Sequence, residues 1–436
     1  MTEQTEAILK RLVGLHPKSI DLELGRIEQL LARLGNPHRS LPPTIHVAGT
    51  NGKGSTCAFL RAMTEASGKR VHVYSSPHLV HFRERIRLAG TLVSDETLID
   101  ALLRCEKANN GDPITFYEIT TAAAFLLFSE HPADLLVLEV GLGGRYDATN
   151  VITDPVATVI TPIAHDHEGF FGTKISRIAW EKAGIMKKGI PSVWAPQKQE
   201  VRDVLEQEAA KAGAGPLSIG GQDWMAFEEH GRLIFQGETS LMDLPIPRLG
   251  GRHQLINAGS AIATAKLVMP EISDDDIIKG LGSVNWPARL QRLTQGNLFQ
   301  FVPKDAELWL DGGHNPHAGL AVASALADLE EKAPRPLHMI VGMLNTKDPT
   351  GYFTPFKGLA KDIITVPIEG SEAAIDPVEL SSIAQATGIP ASAAASVEEA
   401  LKRLSLQNLK PAPRILIAGS LYLAGNILRD NGTPPN

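Results

Sequence analysis

Apolar and polar residues follow two alternating patterns along the chain. Short runs rich in β-branched residues, such as Thr44–Gly49 and Asp134–Val140, are separated by segments whose apolar positions recur every three or four residues, such as Ser55–Ser67 and Glu118–Phe128. The short runs indicate buried parallel strands, and the longer segments indicate helices that cover both faces of the sheet. Further strands are predicted at Val71–Ser75, Ala157–Thr161 and Ser192–Ala195.

A second series of strands and helices follows the segment WPARLQRL (Trp286–Leu293). Its predicted strands are Glu307–Asp311, Leu337–Val341, Asp362–Val366 and Ile415–Ala418, and its predicted helices include Ala318–Glu331 and Val397–Leu404. Because 436 residues exceed what one hydrophobic core commonly supports, we predict two α/β domains, residues 1–287 and 299–436, joined by a linker at 288–298. A crevice between two such domains is a common ligand site.

Composition and charge narrow the range of partners. Apolar residues make up 43% of the chain and charged residues 21%, which is typical of a soluble globular protein. A formal net charge of −7 argues against broad binding to nucleic acid or to an anionic membrane. Two cysteines cannot form a disulfide framework, the polar N-terminus is unlike a targeting peptide, and no apolar stretch is long enough to span a bilayer. We therefore expect a cytoplasmic protein with small-molecule substrates.

The segment GTNGKGS (Gly49–Ser55) joins an apolar strand to a helix. Its glycines allow backbone N–H groups to approach anionic oxygens, and the helix N-terminus adds partial positive charge. Lys53 can neutralise the β- and γ-phosphates of a nucleotide, and Ser55 can contact phosphate or Mg²⁺. A glycine-rich turn with an incidental lysine is the simpler alternative, but it does not explain the order strand, loop, helix. The predicted nucleotide-binding residues here are Thr50, Asn51, Gly52, Lys53, Gly54 and Ser55.

This loop departs from the standard G-x-x-x-x-G-K-[ST] spacing of kinases and GTPases. Val47 stands where the first glycine is expected, and Gly54 separates Lys53 from Ser55. The loop instead resembles that of the Mur ligase superfamily, whose members make amide bonds through acyl phosphates.

Polar residues follow several other predicted strands. Glu139 ends an apolar run, where a carboxylate is costly unless it binds a metal or a cation; a surface glutamate on a misplaced strand is the alternative. Ser76 follows another strand. His165, Asp166 and His167 follow a third, and such a cluster can contact metal or phosphate, although loop histidines are often only solvated.

Three further features are less specific. Arg83, Arg85 and Arg87 have the spacing of a strand, and we favour the polar face of an edge strand over a polyanion site. Lys182 has the composition of a helix-end lysine. The turn DGGHNP (Asp311–Pro316) presents polar groups after a strand, and a helix cap by Asp311 or Asn315 is compatible with a functional role.

Taken together, these motifs resemble the dihydrofolate synthase/folylpolyglutamate synthase family, in consistent order along nearly the whole chain. The matching segments are LHPKSIDLELGRI (15–27), GTNGKGS, YSSPHLVHFRERI (74–86), TFYEITT (115–121), LEVGLGGRYDATN (138–150), AHDHEGFFG (164–172), EKAGI (181–185), GGRHQLINAGSA (250–261), WPARLQRL and LDGGHNPHAG (310–319). The resemblance implies a P-loop-containing, Mur-ligase-type central domain and a smaller Rossmann-like C-terminal α/β domain.

The resemblance also implies residue roles. Lys53 and its loop would bind ATP, Ser76 and Glu139 a first Mg²⁺, and His167 a second. Lys182 matches a lysine that carries a CO₂-derived carbamate in relatives. Asn257, Arg289 and Asp311 match nucleotide contacts, and His314 lies where the second domain closes on the phosphates. The expected catalytic residues are Lys53, Lys182 and His314. The expected pterin or pteroate site comprises Leu15, His16, Pro17, Thr115, Phe116, Tyr117, Glu118, Tyr146, Asp147 and Ala148.

Some positions differ from the family pattern. Tyr146 stands where Leu is common, DGGH replaces an Asp-x-Ala-His turn, and Val151–Thr161 is one residue longer. None of these differences removes a proposed catalytic group.

The implied function is ligation of L-glutamate to dihydropteroate and to the γ-carboxylate of folates by a monomer. Alternatives are folylpolyglutamate synthesis alone, or ligation to a UDP-linked cell-wall precursor. The latter enzymes generally carry an added N-terminal domain, for which about 43 residues before the first strand leave little room. A nucleotide-gated binding protein that forms no amide bond is a further alternative.

Overall fold

The computed structural model describes residues 3–16 and 21–435. The helices are α1 Glu3–Val13, α2 Gly25–Arg33, α3 Lys53–Ala66, α4 Asp95–Asn109, α5 Phe116–Glu130, α6 Glu168–Phe171, α7 Ile175–Ala183, α8 Gln199–Ala212, α9 Arg252–Val268, α10 Asp274–Ser283, α11 Pro316–Lys332, α12 Pro349–Phe353, α13 Pro377–Ala386, α14 Val397–Leu406 and α15 Leu421–Asp430. Short 3₁₀ helices cover Pro37–Arg39, Phe82–Arg85, Ala148–Val151, Asn297–Gln300 and Thr354–Phe356.

The strands are β1 Thr44–Ala48, β2 Val71–Tyr74, β3 Ile86–Leu88, β4 Thr91–Leu92, β5 Leu135–Glu139, β6 Ala157–Ile160, β7 Ser192–Trp194, β8 Leu217–Ile219, β9 Trp224–Glu229, β10 Arg232–Gly237, β11 Leu241–Pro245, β12 Gln291–Leu293, β13 Glu307–Leu310, β14 Leu337–Val341, β15 Ala360–Thr365, β16 Ala391–Ala393 and β17 Arg414–Ala418.

The chain forms two compact units. The N-terminal unit runs to Ile163 and includes Lys174–Arg248 and Leu255–Val284. The C-terminal unit comprises Ala164–Thr173, Leu249–Gln254 and the chain from Asn285 onward. The boundaries predicted from the sequence, with a linker at 288–298, stay a prediction.

An eight-stranded sheet, in the order β4-β3-β2-β5-β1-β6-β7-β8, forms the centre of the N-terminal unit. It is parallel from β2 to β8, and β3 and β4 add an antiparallel edge. After β1 the chain forms β2 and β5 on one side of that strand, and then β6 on its other side. The loops after β1, β5 and β6 therefore begin side by side. Such a switch point is where open α/β sheets bind ligands.

Complete burial explains the apolar composition of the central strands. Every residue of β1, β2, β5 and β6 is buried. Helix α5 contributes Ile119, Phe125 and Phe128 to a core that also includes residues of α1, α2 and α4. Its long buried surface explains why the segment is apolar on nearly all sides.

The C-terminal unit contains a six-stranded sheet in the order β12-β13-β17-β14-β15-β16. It is parallel except for the β12–β13 pair. The predicted fold class, a parallel-sheet central domain with a smaller C-terminal α/β domain, is confirmed. Among the described helices, none combines the length and apolar composition that crossing a bilayer requires.

Two local predictions were wrong or incomplete. Arg83 and Arg85 do not lie on a strand, because Phe82–Arg85 form a 3₁₀ helix. Only Arg87 lies on a strand, β3, which is the neighbour of the edge strand β4. The antiparallel sheet β9–β11 was not predicted. Its strands alternate buried and exposed residues over only five or six positions, which is a weak signal.

Candidate active site

Two glycines shape the loop between β1 and α3. A Cβ on Gly49 would lie 1.8 Å from Oγ1 of Thr161, and a Cβ on Gly52 would lie 2.2 Å from Oδ1 of Asn257. Gly52 also has a φ of 89°, which L-residues with side chains seldom adopt. The loop therefore packs against β6 and α9, and it leads the chain directly into α3, which begins at Lys53. Thr50, Asn51, Gly54 and Ser55 lie in this loop and first helical turn.

Two lysines converge on one carbonyl oxygen of this loop. Nζ of Lys53 donates to the oxygen of Gly49 at 3.2 Å, and Nζ of Lys182 donates to the same oxygen at 2.8 Å. Lys182 lies near the end of α7, as its composition predicted, and is buried. The structure therefore brings together two residues that lie 129 positions apart in the sequence. The ammonium group of Lys53, at the start of α3, makes this loop suitable for an anion.

Glu139 lies at the end of β5 beside the loop that follows β2. It is buried, which rules out the alternative of a surface glutamate. Its Oε2 accepts a hydrogen bond from the backbone N–H of Ser76 at 3.2 Å. Among the described residues, no group of three or more His, Cys, Asp or Glu side chains is arranged to hold a metal ion. Ser76 and Glu139 stay the predicted ligands of a Mg²⁺ ion, which commonly takes few of its ligands from the protein.

Asp166 is the centre of a polar cluster in the C-terminal unit. Its carboxylate accepts hydrogen bonds from Nζ of Lys347 at 2.6 Å, Nδ2 of Asn315 at 3.0 Å and the N–H of His167 at 2.8 Å. Nε2 of His314 lies 3.5 Å from Oδ2. Burial alone would raise the pKa of Asp166, but His314, His167 and Lys347 lower that pKa well below its usual range. The Asp166 carboxylate is therefore ionised at neutral pH.

Lys347 was missed in the sequence. It follows β14 in the turn NTKDPT, and a polar turn after a buried strand was the available signal. His167 itself is exposed, with a left-handed φ of 54°, and it belongs to the C-terminal unit. Asn315 caps α11, since its Oδ1 accepts from the N–H of Ala318 at 2.9 Å. Asn315 therefore caps the helix with its Oδ1 and contacts Asp166 with its Nδ2.

Asp311 organises the turn after β13. Its Oδ1 accepts from the N–H of Gly313 at 2.6 Å, and its Oδ2 accepts from the N–H of Leu290 at 2.7 Å. This second contact fixes the backbone next to Arg289, where Leu290 has a positive φ of 44°. Nδ1 of His314 lies 3.1 Å from the oxygen of Gly312. Asp311 therefore links the turn that contains His314 to the backbone beside Arg289.

The segments assigned to the pteroate site start at α5. Thr115 and Glu118 form the capping box at its N-terminus, and Phe116 and Tyr117 pack partly buried against the core. Leu15 and His16 are partly buried. Nε2 of His16 lies 3.9 Å from Oδ2 of Asp21. Pro17, which is assigned to the same site, lies outside the described residues.

The loop after β5 supplies the other predicted pteroate contacts. Asp147 is buried and accepts hydrogen bonds from the N–H of Leu142 at 2.9 Å and from the N–H of Thr149 at 3.0 Å. Ala148 is also buried, whereas Tyr146 has an exposed side chain. Asp147 therefore holds the loop in shape, whereas the Tyr146 side chain is open to solvent.

Family models match both parts of the chain. The Mur ligase middle domain matches residues 47–265, and the dihydrofolate synthetase C-terminal domain matches residues 294–430. The dihydrofolate synthase/folylpolyglutamate synthase of Escherichia coli (strain K12) is 31% identical over 96% of this chain and 94% of its own length.

Solved structures agree with these matches. E. coli FolC in complex with DHPP and ADP has a TM-score of 0.86 and 30% identity, covering 98% of this chain and 97% of that chain. A bifunctional folylpolyglutamate synthase/dihydrofolate synthase with Mn, AMPPNP and L-glutamate bound has a TM-score of 0.83 and 31% identity, covering 98% of each chain. The family and enzyme class implied by the motifs are confirmed. The chain belongs to the dihydrofolate synthase/folylpolyglutamate synthase family of ATP-dependent ligases.

Proposed function

We propose that this protein adds L-glutamate both to dihydropteroate, forming dihydrofolate, and to the γ-carboxylate of folates. The observation that carries the proposal is the convergence of Lys53 and Lys182 on the phosphate loop, next to β5 and its terminal Glu139. Support for the substrates comes from relatives that bear both activities in their names and from neighbours bound to DHPP or to glutamate. Folylpolyglutamate synthesis alone is the alternative.

A carboxylate is a poor electrophile, so its coupling to an amine needs a leaving group. A carboxylate oxygen of the substrate attacks the γ-phosphorus of ATP, which gives an acyl phosphate and releases ADP. The amine of glutamate then attacks the acyl carbon, phosphate leaves, and the nitrogen gives up a proton. Both reactants of the first step are anions, so Lys53 and Arg289 would screen their repulsion and stabilise the transferring charge. Positioning supplies most of the remaining rate enhancement.

Ser76 and Glu139 suit a magnesium ion, because both offer oxygen ligands and Glu139 is a buried carboxylate. The ion would withdraw charge from the phosphate oxygens. His167 is proposed as the ligand of a second ion from the family resemblance; an imidazole is a less usual ligand for magnesium.

Lys182 is proposed to carry a carbamate. Two ammonium groups on one carbonyl oxygen repel each other, and Lys182 is the more buried of the two. Conversion of its amine to a carbamate would replace a cation by an anion and turn this repulsion into attraction towards Lys53 and Mg²⁺.

The remaining proposed site residues are assigned to the nucleotide. Asn257, Arg289 and Asp311 would contact the nucleotide, with His314 close to its phosphates. We further propose that the protein acts as a monomer in the cytoplasm, with domains at 1–287 and 299–436.

Glutamate-dependent phosphate release from Mg·ATP, measured separately with dihydropteroate, tetrahydrofolate and a UDP-muramoyl peptide, tests the proposal. We expect release with both pterin substrates and none with the peptide. Activity with tetrahydrofolate only would favour the alternative, and ATP hydrolysis that ignores glutamate would contradict ligation altogether.

A further inference from the structure

The guanidinium group of Arg26, in the first turn of α2, contacts carboxylates from two separate parts of the chain. Its Nε and Nη2 donate to the two oxygens of Glu118 at 3.1 and 3.0 Å. Its Nη1 donates to Asp21 at 3.0 Å and to Glu23 at 2.8 Å. Nη2 also donates to the carbonyl oxygen of Asp21 at 3.1 Å. The Arg26 side chain is 16% exposed and that of Glu118 is 4% exposed, so the contact between these two residues is shielded from solvent, whereas Glu23 is exposed.

These contacts join two of the three segments that are assigned to the pteroate site. Glu118 belongs to the capping box at the start of α5, where its Oε2 also accepts from the N–H of Thr115 at 2.7 Å. Asp21 lies beside His16, on the segment that leads into α2. Arg26 therefore fixes the start of α5 relative to the chain that carries His16.

Burial makes the contact between Arg26 and Glu118 hard to replace. The Glu118 side chain is 4% exposed, so an uncompensated negative charge there would be costly. A planar guanidinium can bind both oxygens of one carboxylate while also reaching Asp21, which a lysine ammonium cannot do. Both oxygens of Glu118 are engaged inside the protein, so this residue can shape the site through the position of α5.

We propose that Arg26 is a positioning residue for the pterin-bearing substrate. It sets the distance between the His16 segment and Thr115–Tyr117, and thereby the width of the site that would receive dihydropteroate. The inference rests on the proposed function, because it takes these two segments as part of the pteroate site. It predicts a defect confined to that substrate, since none of the Arg26 contacts involves the phosphate loop.

The test compares steady-state kinetics of wild type, Arg26→Lys and Arg26→Gln. We expect both variants to raise KM for dihydropteroate by about tenfold or more, while KM for ATP changes by less than about twofold. Arg33→Gln is the matched control on the same helix, because Arg33 contacts Asn109 and Asp112 at the end of α4 instead. It should leave both KM values close to wild type.

The double variant Arg26→Gln/Glu118→Gln separates positioning from simple stability. Removing the buried charge of Glu118 should restore thermal stability, but KM for dihydropteroate should stay raised because the link to Asp21 is still missing. Recovery of both properties would overturn the inference, as would an unchanged KM in Arg26→Gln. A wild-type enzyme that cannot use dihydropteroate would overturn the proposed function and this inference together, whereas the other two outcomes overturn the inference alone.

Discussion

Lys53 is the cation that the phosphate loop itself contributes, since it begins α3 and its Nζ contacts the oxygen of Gly49. Replacing Lys53 with Ala removes a charge-assisted contact to the transferring phosphate. We expect kcat/KM for ATP to fall by about 10²-fold or more. Lys69→Ala, in an exposed ion pair with Glu271 just after the same helix, is the control and should change kcat/KM little. Near-normal turnover in Lys53→Ala would show that the loop assignment is wrong.

His46 on β1 gives the protein a pH-dependent stability. It is fully buried, and its Nε2 lies 2.9 Å from Oγ1 of Thr149, which in turn donates to Asp147. Nε2 therefore carries the proton, and the described residues offer Nδ1 no hydrogen-bond partner. Burial, with a smaller contribution from Lys187, lowers the pKa of His46 to about 3.

The unfolded chain takes up a proton at His46 below pH ~6.5, whereas the folded protein does so only near pH 3. Folding free energy is therefore lost as the pH falls through this window, by up to ~1.4 kcal/mol per pH unit. His46→Gln, which retains a donor for Thr149, should flatten this dependence. Urea denaturation at pH 7.0 and about pH 5 measures it, and an equal pH dependence in both proteins would contradict the assignment.

Several of these residues could be predicted because they lie in local sequence motifs. Others could not, because the residues that they contact are far away in the sequence. Lys53 and Ser55 could be assigned because a glycine-rich turn between strand and helix is itself the signal. Arg26 and Lys347 could not, because their partners Glu118 and Asp166 lie 92 and 181 positions away. Nothing near either residue in the sequence specifies such a partner.

At the scale of elements, the segment Ala164–Thr173 is held to the C-terminal unit by the Asp166 cluster. Lys347→Met leaves the Asp166 carboxylate without its closest cation, so we expect the free energy of unfolding to fall by about 3 kcal/mol. The double variant Lys347→Met/Asp166→Asn should recover part of this loss, since no buried charge remains. Urea denaturation at pH 7 measures both.

Lys402→Met provides the control for that experiment. Lys402 pairs with Glu398 on the surface of α14, where both side chains are about half exposed. Its Nζ also lies 4.6 Å from the centre of the Phe301 ring, so its loss should cost about 1 kcal/mol. Equal effects of Lys347→Met and Lys402→Met would mean that the Asp166 cluster does not hold the segment.

The central strands could be predicted as elements, and the edges of the sheets could not. All residues of β1, β5 and β14 are buried, so each appears in the sequence as a mostly apolar run. The 3₁₀ helix Phe82–Arg85 was mistaken for a strand because alternating arginines suit both structures. Its conformation is fixed by Glu84, which accepts hydrogen bonds from the N–H groups of Leu79, Val80 and His81, a contact with no periodic signal.

At the scale of the whole molecule, the fold class followed from the alternation of strands and helices, and the ligase class followed from motifs spread along the chain. Both parts of that assignment are confirmed. The roles of individual residues stay predictions, because they concern substrates and not the folding of the chain. The predicted domain boundaries stay predictions as well.

The central claim is that ATP activates the substrate carboxylate as an acyl phosphate. Dihydropteroate labelled with ¹⁸O in its carboxylate, incubated with Mg·ATP and L-glutamate, tests it most directly. An acyl phosphate intermediate transfers one labelled oxygen to each phosphate released, which mass spectrometry of the phosphate detects. We expect one ¹⁸O atom in the phosphate for each amide bond formed. Phosphate that contains no label, alongside normal amide formation, would contradict the account.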